Sequence, residues 1–181
     1  MTTYITSDLH FGHKNIVKFN PETRPYTDMT HMNESMVREW NEIVAEEDHT
    51  YILGDVAFMK PNKAAAMIRR LNGTKTLIIG NHDHKSIKSE IFRDCFVEMH
   101  YYLEIDVNRH KVILCHYPIY EWNGMHRGSI HLHGHTHGFK TGLEKARICD
   151  VGVDATGKIV VPLEDIVEQV AQNEIRSRSR D

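Results

Sequence analysis

Short apolar runs that end in polar residues recur along the chain and predict buried β-strands. They cover residues 3–7, 49–55, 75–83 and 110–116. Continuous apolar runs of this length are typical of strands buried on both faces, although a buried helical turn has a similar composition. The helical segments that separate the runs decide the choice in favour of strands.

Two amphipathic segments lie between the first three apolar runs. In residues 30–47 the apolar side chains recur at helical spacing, with glutamates towards the other side. Residues 61–71 begin with a proline and stop before Asn72-Gly73, which are the usual start and stop signals of a helix. A closing helix is predicted over residues 164–175.

The second half of the chain changes to an alternating pattern. Apolar positions alternate from Tyr101 to Val107, and Asn108-Arg109 offers a turn before the next apolar run, which predicts a β-hairpin. Further strands are predicted over 129–137, 146–152 and 158–163, with a turn at Gly157 between the last two. Alternating strands and helices followed by antiparallel strands predict an α/β sandwich, with sheet in the middle and helices outside.

Length and composition limit the architecture and the partners. With 181 residues and 40% hydrophobic content, we expect a single domain over 1–175 and a solvated polar tail over 176–181. The net charge of -3 and the pI near 6.5 provide no basic field, so extended nucleic-acid binding is not expected. A small anionic substrate remains compatible with this charge.

The cysteines and the N-terminal residues predict a cytoplasmic protein. The three cysteines lie far apart and do not form a paired motif, which is typical of a reducing compartment. The first residues contain neither a charged nor an apolar leader segment, and no stretch approaches the roughly 20 apolar residues of a spanning helix. We therefore expect a soluble, unexported protein without a membrane partner.

Side chains that bind metals close successive apolar runs. Asp8 and His10 follow the first run two positions apart, so the period of a strand predicts that both point to the same face and share one cation. Asp55 follows Gly54, where a carboxylate is able to bridge two metals. Further candidates follow the later runs: Asn81, His82, Asp83, His116, His135 and His137.

Each of these residues alone is weak evidence, because paired polar residues beside glycine are ordinary loop chemistry. The repetition at successive strand ends is what favours a metal site. The composition agrees, since 14 histidines exceed what a chain of this length needs for packing. His131 and His133 alternate with apolar residues, and we interpret them as a polar strand face or as support for the ligands.

The motifs SDLH, LGD, GNHD, LCHYP and GHTH occur in the order that is characteristic of calcineurin-like metallophosphoesterases. They span residues 7–137, and the opening SDLHFGHKNI resembles small single-domain members from bacteria and bacteriophages. The resemblance implies a two-sheet αββα sandwich flanked by helices. It also implies a hydrolase, a phosphodiesterase or related phosphoesterase, with a binuclear metal centre.

The resemblance implies a role for each candidate residue. Asp8, His10 and His137 would bind one metal, Asn81, His116 and His135 the other, and Asp55 would bridge them. His82 matches the family's catalytic histidine, and Asp83 matches a carboxylate that orients it, in keeping with an imidazole's need for an acceptor on its far nitrogen. The implied nucleophile is a metal-bridging hydroxide.

The ligand chemistry restricts the choice of metal. Carboxylates, an amide and imidazoles without a thiolate suit manganese, iron, zinc or nickel, and manganese is favoured partly by the resemblance. Cys115 is expected to be a buried thiol on the opposite face of its strand. Phe58 replaces the metal-binding tyrosine of purple acid phosphatases, which excludes an iron(III) tyrosinate site.

The substrate is predicted to be small, because only about 30 residues separate Asp83 from His116 and leave little room for a capping domain. Protein serine/threonine phosphatase activity is not expected, since Asp55 lacks their Asp-Arg-Gly continuation. The favoured substrate is a small phosphodiester such as a cyclic nucleotide or a nucleotide derivative. A phosphomonoesterase and a non-catalytic binding scaffold are the alternatives. Loop residues expected to reach the pocket are His13, Lys14, Arg24, Trp122, Asn123 and Arg127.

Overall fold

Nine strands form two sheets in the computed structural model, which describes residues 1–176. Most of the predicted polar tail, residues 177–181, lies outside the described residues. The strands are β1 Thr3–Thr6, β2 His49–Ile52, β3 Thr74–Ile78, β4 Glu98–His100, β5 Tyr102–Val107, β6 His110–Cys115, β7 Ile130–His133, β8 Ile148–Asp150 and β9 Val161–Pro162. The predicted two-sheet α/β sandwich is confirmed.

The first sheet has the order β4-β3-β2-β1-β9, and the second has the order β5-β6-β7-β8. Strands β1 to β4 pair in parallel, and β9 joins β1 antiparallel. The predicted hairpin of β5 and β6 is confirmed, and its turn residues Asn108 and Arg109 both have positive φ. The expectation of antiparallel strands is wrong for β6, β7 and β8, which pair in parallel across long connections.

Within residues 1–176, six α-helices connect or cover the strands. They are α1 Ile16–Phe19, α2 Met29–Ile43, α3 Pro61–Ile68, α4 Glu90–Arg93, α5 Val153–Thr156 and α6 Leu163–Ala171. Asp28 caps α2 by accepting a hydrogen bond from the His31 amide. Gly157 ends α5 in the left-handed conformation, so it is a helix stop between strands of different sheets and not the predicted turn of a strand pair. None of the helices within residues 1–176 has the length and apolar character needed to cross a bilayer.

Two apolar layers hold the sandwich together. One lies between the first sheet and the helices, with Trp40 and Phe92 fully buried in it. The other lies between the sheets, where Ile5, Leu53 and Leu132 are fully buried. Full burial of such a side chain contributes about 1.5–3 kcal/mol, so these layers fix how the two sheets face each other. The carboxyl ends of strands from both sheets consequently meet at one edge.

Candidate metal centre

Five strand ends deliver the candidate ligands to this common edge. Asp8 and His10 follow β1, Asp55 follows β2, and Asn81 lies shortly after β3. His116 follows β6, and the segment with His135 and His137 follows β7. Backbone hydrogen bonds hold the first two loops side by side, from Asp8 N to Gly54 O over 3.1 Å and from His10 N to Asp55 O over 3.0 Å.

The backbone at these ligands is strained. Asp8, His10, Asp55, His135 and His137 have φ values of 58°, 53°, 53°, 71° and 49°. Left-handed backbone is uncommon for residues other than glycine, and such strain clusters at functional sites. The predicted convergence of Asp8 and His10 occurs, but the reason given for it is wrong. Both residues lie beyond the end of β1, and left-handed turns aim their side chains in place of the alternation of a strand.

The first group of ligand atoms surrounds Asp8 Oδ1. His10 Nε2 lies 3.5 Å from this oxygen and His137 Nε2 lies 3.9 Å from it. Asp55 Oδ2 is 3.8 Å from His10 Nε2 on the other side. The ligand atoms of Asp8, His10 and His137 all lie within 4.8 Å of one another, a spacing that a single cation can span.

The second group forms around His116. Its Nε2 lies 3.6 Å from Asp55 Oδ1 and 2.9 Å from Asn81 Oδ1. The ring of His135 packs edge-on against it with the centroids 5.1 Å apart. Ligand atoms of Asp8, Asp55 and His116 also fall within 4.8 Å of one another. The two oxygens of Asp55 therefore face different histidines, one from each group.

Buried atoms without partners test whether a cation fits. Asp8 Oδ1 and His10 Nε2 are buried, and neither accepts or donates a hydrogen bond within the described residues. An unsatisfied buried polar group costs about 1–3 kcal/mol, and more when it is charged. A divalent cation between these atoms would satisfy both, so the residues present fit the predicted metal.

Hydrogen bonds on the far side of the rings orient two of the histidines. His116 Nδ1 lies 2.7 Å from the Leu53 carbonyl oxygen, and His137 Nδ1 lies 2.7 Å from Asp154 Oδ2. Each ring therefore presents Nε2 to the site, in the arrangement that metal-binding histidines use. The Asp8 carboxylate is fixed in the same way, because its Oδ2 accepts from the His135 amide over 2.9 Å.

Asp154 is the main residue that the sequence analysis missed. It follows β8 after Gly152-Val153, and its carboxylate accepts hydrogen bonds from Thr23, Arg24 and His137. Burial opposes ionisation, but the hydrogen bonds from His137 and Arg24 hold the pKa of Asp154 well below its usual range. The same hydrogen bond raises the pKa of His137. The signal that could have found it is a strand followed by a glycine and, two residues later, a carboxylate, which resembles Gly54-Asp55 with one residue inserted.

Arg24 is not a substrate contact, which corrects the expectation from its position in a loop. The side chain is 0% exposed. Its guanidinium donates to both oxygens of Asp154 over 2.9 Å, and to the carbonyl oxygens of Asp8 over 2.6 Å and Leu9 over 3.0 Å. Arg24 thus braces the backbone of the first ligand loop from inside the protein.

Two further predicted substrate contacts lie away from the metal centre. Trp122 is only 5% exposed, packs in a small cluster on the outer face of the second sheet, and donates to the Ser129 carbonyl. Arg127 is exposed and lines a separate cleft with Arg109 and Lys111, at the opposite end of β6 from His116. These two expectations are wrong because the connection between β6 and β7 folds back over the sheet.

His13 does reach the site. Its ring packs against Phe58 with the centroids 4.2 Å apart and lies 5.6 Å from the ring of His10. The Phe58 ring in turn stacks on His10 at 4.9 Å and contacts His82 at 4.4 Å. An aromatic ring that has no ligand atom thus fixes the imidazoles around it.

His82 and Asp83 diverge in spite of being neighbours. The side chain of His82 is 46% exposed, and its Nε2 lies 3.8 Å from Asp55 Oδ2. The carboxylate of Asp83 turns inwards and accepts from the backbone amides of Asp55, Val56 and Gly80 over 2.9, 3.1 and 2.9 Å. The expectation that Asp83 orients the imidazole is wrong for this structure, in which Asp83 holds two ligand loops together.

Burial dominates the electrostatics of the centre. It raises the pKa of Asp83 to about 6, against the effect of the amide hydrogen bonds. Burial also lowers the pKa of His10, so the neutral imidazole that a metal requires is favoured. For Asp8 burial favours the acid, but the adjacent His10 imidazole and the nearby His116 and His137 lower its pKa overall. At Asp8 and His10 the surroundings therefore favour the protonation states that ligate cations.

The fold and the site define an α/β sandwich with a cluster of cation ligands at the carboxyl ends of its strands. The chain is 33% identical over 136 residues to the uncharacterized protein MJ1445 of Methanocaldococcus jannaschii, an alignment that covers 74% of this chain and 68% of that protein. It belongs to the same family as MJ1445. It is also 27% identical over 204 residues to the Gene 66 protein of Mycobacterium phage L5, covering 95% of this chain and 97% of the phage protein. No family model matches the sequence.

A solved structure shares the fold. AQ665, a protein of unknown function from Aquifex aeolicus, aligns with a TM-score of 0.72 and 22% identity over 93% of this chain and 98% of its own. The E. coli phosphoesterase YfcE aligns with a TM-score of 0.43 and 17% identity over 90% of this chain and 82% of its own. AQ665 agrees with the two-sheet architecture along almost the whole chain.

Proposed function

We propose that this chain is a calcineurin-like phosphoesterase that binds two divalent cations and hydrolyses a small phosphodiester. The observation that carries the proposal is the position of Asp55, whose oxygens lie 3.8 Å from His10 Nε2 and 3.6 Å from His116 Nε2. A carboxylate that faces two ligand groups at once is suited to bridging two metals. The motif order in the sequence supports the same conclusion.

The ligands divide between two ions. Asp8, His10 and His137 would hold one ion, Asn81, His116 and His135 the other, and Asp55 both. When bound, two divalent cations supply Lewis acidity and lower the pKa of water, and manganese is the metal that we favour.

Three further residues position the ligand loops or supply a proton. His82 stands outside the ligand set, with its backbone amide donating to Asp55 Oδ1 over 2.9 Å and its ring exposed. It is therefore free to donate a proton to a leaving oxygen from Nε2. Asp83 and Arg24 maintain the backbone of the ligand loops, which keeps the ligands in place as a substrate arrives.

Chelation and metal reconstitution test the proposal. Hydrolysis of bis(4-nitrophenyl) phosphate is expected to stop in chelator and to return with Mn²⁺, and metal analysis is expected to give about two ions per chain. A parallel panel of cyclic nucleotides, dinucleotides and mononucleotides identifies the substrate class. Undiminished turnover in chelator, or one ion in a fully loaded preparation, contradicts the binuclear centre. Cleavage of monoesters alone would overturn the diesterase assignment.

A further inference from the structure

A cleft of about 560 Å³ opens beside the metal centre on the side of His82. It is lined by Phe58, Asn81 and His82, each of which also contacts the ligand groups. The centre and the cleft therefore share a wall. The volume lies within the range of about 300–1,000 Å³ that is typical of small-molecule sites.

The chemistry of the cleft is cationic on one side and apolar on another. Lys60 and Lys85 supply two ammonium groups, neither of which has a hydrogen-bond or ion-pair partner within the described residues. Met59 and Pro61 add apolar surface next to the Phe58 ring. None of the described residues that line the cleft carries a carboxylate.

Two unpaired ammonium groups in a cleft without carboxylates favour the binding of an anionic ligand group. Lys60 and Lys85 differ in this respect from Lys111, whose ammonium group pairs with Glu104 over 2.9 Å. The amino end of α3 also faces the cleft through Lys60 and Pro61, and its dipole adds potential of the same sign. The apolar wall suits a flat ring that would lie between this anion and the metals.

We infer that the substrate carries a second phosphate or comparable anion, which binds Lys60 and Lys85 while the reacting phosphate lies at the metals. This inference rests on the proposed function and narrows its substrate class. Since the cleft lies on the His82 side, the second anion belongs to the alcohol that leaves. The product alcohol is then itself a phosphorylated compound, such as a nucleoside monophosphate.

Calorimetric binding to the manganese-loaded full-length chain tests the inference. The probes are adenosine 3′,5′-bisphosphate and the two corresponding monophosphates. We expect the bisphosphate to bind at least about tenfold more tightly than either monophosphate, since charge-assisted contacts of a second phosphate are worth that much. The double variant Lys60→Gln/Lys85→Gln is expected to bind all three ligands equally.

The double variant Lys63→Gln/Lys88→Gln is the matched control, because it removes the same charge outside the lining of the cleft. It should keep the tenfold preference. A preference that is absent from the parent, or that survives Lys60→Gln/Lys85→Gln, overturns the inference. Hydrolysis of bis(4-nitrophenyl) phosphate is measured in parallel. If the diester is hydrolysed but the bisphosphate is not preferred, only the inference about the cleft is refuted. If the bisphosphate is preferred through the two lysines but no diester is hydrolysed, only the proposed function is refuted.

Discussion

At the scale of single residues, His82 lies close to the metal centre but is not one of the proposed metal ligands. Its Nε2 lies 3.8 Å from Asp55 Oδ2, yet the ring is 46% exposed and its one described polar anchor is the backbone amide. Its nearest ring neighbour is Phe58, which offers no hydrogen bond. No hydrogen bond within the described residues holds the ring, so it is available to a leaving oxygen, and its loss should leave the ligand groups intact.

His82→Asn is therefore expected to keep the metal content near normal and to lower kcat by about 10²–10⁴, the range for one positioned acid or base. The loss should be smaller on nitrophenyl esters, because a nitrophenolate leaves without protonation. Metal analysis and kinetics on aryl and alkyl esters check both points. Loss of the metals, or equal losses on both ester types, would contradict the role as a general acid.

Asp154 and Arg24 act on the centre from behind the ligands. Arg24 forms an ion pair with Asp154, and Asp154 accepts a hydrogen bond from His137 Nδ1. One buried carboxylate thus connects the Arg24 guanidinium with the proposed metal ligand His137. Such supporting contacts fix the tautomer and the direction of the ring.

Asp154→Asn is expected to weaken metal binding by about 10–100-fold, because the single amide oxygen of asparagine cannot accept from both Arg24 and His137, as the two carboxylate oxygens do. Asp165→Asn, on the exposed side of α6, is the control and should leave the affinity unchanged. Calorimetric titration with Mn²⁺ measures the affinity, and thermal unfolding in chelator measures the separate effect of leaving Arg24 without its carboxylate. An affinity equal to that of the parent would show that Asp154 does not support His137.

At the scale of elements, the centre depends on how closely the two sheets approach. Gly134 follows β7 in the second sheet and lies against Ser7 and Asp8 at the end of β1 in the first sheet. A Cβ atom at this position would overlap with Ser7 Oγ and Asp8 Oδ2. The backbone of Gly134 has no positive φ, so close approach is the reason that glycine is required there.

Gly134→Ala is expected to push Asp8 out of place, lower the affinity for Mn²⁺ by about tenfold or more, and destabilise the fold by about 1–3 kcal/mol, as overpacking does. Gly142→Ala is the control, because a Cβ there meets nothing within 4 Å. This control substitution introduces only the backbone strain of an alanine at a φ of +83°. Denaturant unfolding and metal titration of both variants check the expectation. Normal metal binding in Gly134→Ala would refute the constraint.

The local pattern predicted the elements that have a clear apolar run or stripe and missed β4 and the one-turn helices α1, α4 and α5. Residues 30–47 predicted α2 because its apolar stripe is long, whereas Glu98–His100 is short and partly exposed and has no such pattern. The parallel pairing of β6, β7 and β8 depends on contacts between distant segments, which local periodicity does not contain.

The same limit applies to the centre. The ligands were predictable because each follows an apolar run, so their convergence depends only on strands lying side by side. Arg24 was expected at the pocket because it lies in a loop, and Asp83 was assigned to orient His82 because the resemblance implied that role. Burial and side-chain direction decide both cases, and neither is encoded in spacing along the chain.

At the scale of the whole molecule, buried neutral imidazoles make stability depend on pH. Burial lowers the pKa of His131 to about 4. The ring is fully buried, accepts from the Ile119 amide over 3.1 Å, and lies 3.1 Å from the Ile113 carbonyl oxygen to which it donates. It bridges the second sheet and the loop after β6.

The sign of this effect follows from proton uptake. A histidine in the unfolded chain binds a proton below about pH 6.5, whereas folded His131 stays neutral down to about pH 4. Between these values the unfolded state binds more protons, so the free energy of unfolding decreases as the pH falls. For this residue alone the decrease from pH 7 to pH 5 is about 2 kcal/mol.

His131→Gln should therefore be less stable than the parent at pH 7, because the bridge is weakened, and should lose less stability on acidification by about 2 kcal/mol between pH 7 and pH 5. Urea unfolding at both pH values, with metal held constant, measures the difference. His84→Gln is the control, since this ring is exposed and its replacement should leave the pH dependence of the parent unchanged. If His131→Gln and the parent lose equal stability between the two pH values, His131 is protonated in the folded protein, and the acid sensitivity must be assigned to other buried histidines.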